Sequence, residues 1–237
     1  MNDSKKKNRK RRVKVYHSKL HDTKLFTGLK TAEIDVILQL AKPVDRKFQK
    51  GDILWRDGDI VDGIGLLEEG TLLCQRYHSD GKVQLIRLFT HNDILNVEAG
   101  VSHRQTSPVY IIAATSGNYF WFSNDSLLKN PLIAPAVINV LQANLLAYLA
   151  DDTIRFMNKS DILSRRTVRG RVIMYLNVLR EKHGDEVDIG MSQEEFAQYL
   201  CVDRSSLSEE LNKMRRDGLI DFNKKTFKIK FAQTQNE

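Results

Sequence analysis

The chain has 237 residues, 41% hydrophobic and 28% charged, with only two cysteines. This is ordinary composition for a globular protein of two modest domains, and it excludes a disulfide scaffold and a cysteine-ligated zinc or iron–sulfur site. The formal net charge is +7, yet residues 1–20 carry nine Lys/Arg against Asp3, so the other 217 residues sum to −1.

Residues 1–20 therefore read as a basic, disordered tail, either simply solvated or a non-specific phosphate anchor. No apolar run follows it, so no signal peptide is expected and a cytoplasmic location is the simplest reading. Thr31–Ala41 has the period of an amphipathic helix, with Ile34, Ile37, Leu38 and Ala41 on one side. From Val44 the texture changes to short β runs: 44–48, 52–55, 63–67, 71–78, 82–89, 109–115 and 118–122. Turns at Gly51-Asp52, Asp57-Gly58-Asp59, Glu69-Gly70 and Ser79-Asp80-Gly81 separate several of them. Regular short strands with glycine turns imply a small antiparallel barrel or roll. Asn130–Ala150 holds no charged residue, but Pro131, Pro135, Asn139, Gln142 and Asn144 argue against a membrane span and for a buried helix. That helix is expected to end near Met157. Asn158-Lys159-Ser160-Asp161 breaks the apolar pattern and reads as a hinge. Arg166–Lys182 reads as a further helix, with Val172, Ile173, Leu176 and Leu179 on its core side.

Ser192–Ile220 is the most informative stretch. Ser192 and Glu195 form a capping box, and Phe196, Ala197 and Leu200 give the helix an apolar stripe. Cys201-Val202 interrupts it, and Asp203 is placed to cap a second helix. In that helix Leu207, Leu211 and Met214 face a core. Arg204, Ser205, Ser208, Glu209 and Asn212 fall on the other side, with Ser206 in the first turn. Gly218 stops the helix, and the residues from Leu219 to Lys230 alternate like a short hairpin. Two helices and a basic hairpin make a winged helix-turn-helix, which presents side chains to a DNA major groove.

This segment, with Leu163–Val172 upstream and Asp217-Gly218-Leu219-Ile220 at its end, resembles the cyclic-AMP receptor / fumarate-nitrate regulator (Crp/Fnr) family of bacterial transcription factors. The sensor half is similar too, in Lys50-Gly51-Asp52, Asp57-Gly58, Glu69-Gly70 and Asp80-Gly81. The resemblance implies an α+β fold: an N-terminal cyclic-nucleotide-binding-like antiparallel β-roll over residues 21–130, and a long dimerisation helix over 131–158. A hinge over 159–163 and a winged helix-turn-helix over 164–237 follow. It implies a homodimer on a palindromic double-stranded operator, and contact with RNA polymerase if the protein is an activator. The helix stripe Val137, Leu141, Asn144 and Tyr148, with Leu145, is assigned to the dimer interface.

In cyclic-AMP-binding relatives a phosphate cassette carries Gly-Glu and, about ten residues on, an arginine before a serine or threonine. Aligning Ser107 with that serine puts Thr106 at the arginine position and Leu95-Asn96 at Gly-Glu. Cyclic AMP is therefore not the expected effector. A different small molecule is expected between roll and long helix, touching Arg87, Glu98, Arg104, Gln105 and Tyr148. No cofactor is expected, and scattered His78, His91 and His103 read as surface residues rather than haem ligands. Arg204 corresponds to the family's first base-contacting arginine. Glu209 stands where relatives often carry arginine. It either accepts from a cytosine N4 or pairs with Lys213 at i+4, the pair being favoured. No nucleophile elbow, phosphate-binding loop or metal-spaced motif suggests an enzyme.

Overall fold

The computed structural model describes residues 20–232, so the basic tail lies, apart from Leu20, outside the described residues. The chain divides into two compact units, one of residues up to 75 and 88–151, the other of 76–87 and 152 onward.

The first unit holds most of the roll. Helix α1 (Thr31–Ala41) leads into β1 (Val44–Phe48), β2 (Ile53–Trp55), β3 (Gly63–Glu69), β4 (Leu72–Tyr77) and β5 (Val83–Phe89). Then come β6 (Ile94–Leu95), the short helix α2 (Val97–Gly100), β7 (Tyr110–Ala113), β8 (Gly117–Ser123) and the short helix α3 (Asn124–Leu127). Residues 76–87, the end of β4 and most of β5, belong to the second unit. The strands form two four-stranded sheets, ordered β1-β8-β3-β6 and β2-β7-β4-β5. The seven strands read from sequence are all present; β6, α2 and α3 were not anticipated. Gly63 and Gly100 meet so closely that a Cβ at Gly100 would lie 2.2 Å from the Gly63 carbonyl oxygen, which fixes α2 against β3.

The core of this unit joins Leu25, Phe26, Ile34 and Ile37 to Leu66, Phe120 and Phe122 of the sheet. Phe26 and Phe122 meet edge-to-face at 6.1 Å, the geometry that aligns ring quadrupoles favourably. The long helix α4 (Pro135–Ser164) adds Val137, Leu141, Leu145 and Tyr148 to that core. Asn144 donates through Nδ2 to the carbonyls of Leu25 at 2.9 Å and Thr27 at 2.8 Å. The stripe assigned from sequence to a subunit interface is thus covered by the chain's own roll. Apolar spacing shows that a face avoids water; it does not say which surface covers it.

Helix α4 also continues through 158–163, where a hinge was expected. The polar residues there turn inward. Lys159 is buried, and its ammonium donates to the carbonyls of Leu85 and, at 3.0 Å, Ile86. The helix ends instead before Thr167, whose hydroxyl accepts from Gly170 N at 3.0 Å and starts α5 (Val168–His183).

The second unit holds the C-terminal half of α4, then α5, β9 (Glu186–Asp188), α6 (Gln193–Leu200), α7 (Arg204–Arg216), β10 (Ile220–Asn223) and β11 (Thr226–Ile229), with sheet order β10-β11-β9. Val172, Leu176, Phe196, Leu200, Leu207, Leu211, Met214, Ile220 and Phe227 are essentially excluded from solvent. Each stabilises the fold by roughly 1.5–3 kcal/mol in transfer terms. Among the described residues no helix is long and apolar enough to cross a membrane.

Candidate nucleic-acid interface and sensor cleft

The turn between α6 and α7 is built by local backbone chemistry. Ser192 and Glu195 complete the capping box: Glu195 N donates to the Ser192 hydroxyl at 3.3 Å, and Ser192 N to the Glu195 carboxylate at 2.5 Å. At the other end Cys201 takes a left-handed conformation, φ 53°, and Val202 N reaches back to the Ala197 carbonyl at 3.1 Å. The carbonyls left over at the end of α6 are taken by Arg171, whose Nη1 donates to Leu200 O at 2.8 Å and Cys201 O at 3.1 Å. Sequence reading missed this buttress, because nothing in spacing links Arg171 to a turn thirty residues away.

Asp203 stands at the N-cap of α7 in extended conformation, but its side chain makes no capping hydrogen bond. The C-terminus closes in a Schellman motif: Leu219 N donates to Met214 O, Gly218 N to Arg215 O, and Gly218 has φ 74°. Between these ends Leu207, Leu211 and Met214 are buried, which fixes the rotation of the helix. Arg204, Ser205, Ser206, Glu209 and Asn212 are exposed, and Ser208 is half-buried. Asn212 Nδ2 donates to Ser208 O at 2.9 Å, and Arg204 Nε lies 3.8 Å from Glu194. The expected Glu209–Lys213 ion pair is not formed among the described residues. Holding two exposed flexible side chains together costs as much as such a pair contributes. Glu210 points the other way, to Arg169 Nε at 2.6 Å, and Arg169 also grips Asp217 at 2.7 Å. Hydrogen bonding to these two carboxylates raises the guanidinium pKa. The wing follows, with β10 and β11 in register from Ile220–Ile229 to Asn223–Thr226, Lys224 and Lys225 at its turn, Lys228 on the central strand β11 and Lys230 just after it.

Helix α6 is tied to α4 through Tyr199. Lys159 Nζ lies 4.0 Å from the centre of its ring, and Tyr175 meets the same ring edge-on at 5.2 Å. Burial pushes the Tyr199 phenol up to about 12, and burial followed by Tyr199 and Asp188 raises that of Tyr175.

The five residues expected at an effector site are not brought together. Arg87 is engaged by Asp152, which also accepts from Arg155 Nε at 3.0 Å, so its charge serves the second unit. Tyr148 is buried, its hydroxyl 3.3 Å from the Asp93 carboxylate and accepting from Ile94 N at 3.1 Å. Glu98 and Arg104 are exposed. Gln105 lines a cleft of about 440 Å³, with Gly100, Ser102, His103, Asn124, Lys129 and Gln142 around it. Asn124 donates to Gly100 O, and its own Oδ1 is buried with no hydrogen-bond partner. At the cassette positions Ser107 Oγ is spent on Val109 O at 2.8 Å, and Thr106 pairs with Ile60 in an isolated bridge.

A β-roll sensor followed by a long helix and a winged helix defines a transcription regulator with an effector-binding domain. The cyclic nucleotide-binding domain matches residues 45–129, and the Crp-like helix-turn-helix domain matches residues 170–233. The chain is 23% identical over 189 residues to the transcriptional activator protein FnrL of Cereibacter sphaeroides, covering 74% of this chain and 71% of that one. The fold is shared with a CooA mutant from Carboxydothermus hydrogenoformans, at TM-score 0.67 and 18% identity over 82% of this chain and 87% of that one. It is also shared with the c-di-GMP-responsive regulator CLP of Xanthomonas campestris, at TM-score 0.64 and 19% identity over 86% and 100%. The chain belongs to the Crp/Fnr family.

Proposed function

We propose that the protein acts in the cytoplasm as a homodimer, reads a palindromic double-stranded operator through α7, and is controlled by a small-molecule effector other than cyclic AMP. The observation that carries the reading is the division of α7. Its apolar side is locked into the core while Arg204, Ser205, Ser206, Glu209 and Asn212 stay exposed beside a lysine-bearing wing. Ser208, partly covered, completes the face.

The dimer rests on a second face of α4. Asn139, Ala143, Leu146, Ala150, Thr153 and Met157 follow one another at spacings of four and three and are all exposed. This is a heptad seam with small residues at alternate positions, which suits a second copy of the same helix about a twofold axis. A twofold dimer places its two reading helices on half-sites about 34 Å apart. The effector reading rests on the cleft at Gln105 and on the absence of an arginine at the cassette. Because α4 carries residues of both compact units, it is the element through which a ligand favouring one arrangement would bias the reader. RNA polymerase is a partner if the protein activates.

The test is a DNA shift assay across a salt series. Arg204→Ala should weaken operator binding by roughly 1–3 kcal/mol, concentrated at one base position per half-site. Absence of any salt-dependent DNA binding would favour a winged helix that contacts protein instead. Micromolar binding of cyclic AMP in calorimetry would refute the effector assignment.

A further inference from the structure

We infer that Glu209 is a specificity-determining residue, selecting a C·G pair in each half-site by accepting the cytosine N4 amino hydrogen. The inference deepens the DNA-reading function above and rests on it. Helix α7 carries two adjacent carboxylates with opposite fates. Glu210 is half-buried and held by Arg169 at 2.6 Å, so it belongs to the scaffold. Glu209, one residue back and about 100° round the helix, is exposed and makes no ion pair among the described residues, Lys213 one turn on included. Ser205, Glu209 and Asn212 follow at spacings of four and three and so share a stripe.

A carboxylate on that stripe faces a surface dense in phosphates, which repel it. It is compatible with close approach only where a base edge offers it a hydrogen. In the major groove guanine offers O6 and N7, both acceptors, and thymine offers an acceptor and a methyl group. Adenine offers an N6 amino group, but its N7 acceptor lies beside it and opposes the second carboxylate oxygen. Cytosine offers the N4 amino group with no neighbouring acceptor on the same base. The carboxylate therefore acts in both directions, rewarding one base and repelling guanine at the same place. Arg204 lies five residues away, about 7.5 Å along the helix axis, so the two side chains address different base pairs.

Selection from a randomised palindromic DNA pool tests this with the full-length wild type, Glu209→Ala and Glu209→Gln. The wild type is expected to enrich C·G at one position of each half-site. Glu209→Ala should lower that preference about tenfold, the loss of one good base contact, and leave the other positions unchanged. Glu209→Gln should shift the position toward A·T, because an amide offers adenine both a donor and an acceptor. Motifs identical across the three proteins would overturn the inference while leaving the DNA-reading function intact. Enrichment of no sequence by the wild type would overturn both. Glu209 is exposed, so equal thermal melts of the three proteins should accompany the expected result.

Discussion

The contact between Lys159 and Tyr199 makes a quantitative claim. Lys159 is 5% exposed, donates to two β5 carbonyls, and sits 4.0 Å from the centre of the Tyr199 ring. Lys159→Met keeps most of the apolar stem and removes the charge. It leaves two carbonyls without this donor, at roughly 1–3 kcal/mol for each acceptor that finds no water. It also removes the cation–π attraction, about 2 kcal/mol when desolvated. Relief of the buried ammonium's desolvation offsets part of this, so the single change should cost about 2–3 kcal/mol. Only the ring contact is shared with Tyr199. A double-mutant cycle with Tyr199→Leu should therefore return a coupling of about 1–2 kcal/mol. Both tryptophans, Trp55 and Trp121, lie in the first compact unit, so tryptophan fluorescence follows the roll. Circular dichroism in urea should carry the loss from the helix-rich second unit. A coupling inside the additive error of about 0.5 kcal/mol would refute the assignment of Lys159 to the ring.

Two further outcomes are expected. Leu146, 69% exposed, and Met157, 63% exposed, sit on the proposed seam, so Leu146→Glu with Met157→Glu should raise the dimer dissociation constant at least a hundredfold, about 2.8 kcal/mol, in light scattering. An unchanged dimer with an unchanged melt would remove the seam. Tyr199 titrates near 10 when unfolded and is pushed up to about 12 in the fold, so the neutral phenol is the form the fold favours. Its contribution is complete below pH 10 and is lost as pH rises toward 12, up to about 2.7 kcal/mol. Tyr199→Phe should flatten that part of the alkaline stability curve, and a curve of unchanged slope would contradict the burial argument.

The legible parts of the sequence were those whose signal is local. Strands β1 to β5 stand between glycine turns, and at Gly70, φ 99°, the turn needs a conformation most residues avoid. The capping box at Ser192 and the stop at Gly218 are likewise set by residues a few positions apart. Strand β6 and helices α2 and α3 have two to four residues, too few for a period to show. The longer-range errors share one cause. Asp152 and Lys159 interrupt an apolar pattern because they reach back to Arg87 and to β5, over seventy residues upstream in the case of Lys159, not because the helix ends. Val137, Leu141 and Leu145 were correctly read as avoiding water, yet the roll covers them. Arg87 and Tyr148 looked like free polar groups for a ligand, and both are spent on neighbours that spacing cannot reveal.

The charge balance of the second unit also depends on which side chains are already paired. From Asp161 on, the chain has 14 Lys/Arg against 13 Asp/Glu, which by itself argues against a DNA-binding surface. Many of those charges are paired with one another. Arg169 holds Glu210 and Asp217, Arg180 holds Asp185 at 2.5 Å, and Arg215 holds Asp221 at 3.2 Å while stacking on Phe222. Arg171 is given to the carbonyls that close α6. Arg204, Lys213 and Arg216 of α7 remain exposed, as do Lys224, Lys228 and Lys230 of the wing. These pairs take up four acids against three arginines, so a near-neutral total conceals a surface with exposed cations on α7 and the wing. On the proposed function, few outward cations on α7 and the wing mean few counterions released by this unit itself. In that function, discrimination between sites then falls on the exposed side chains of α7, where one carboxylate counts for more than it would on a strongly basic helix.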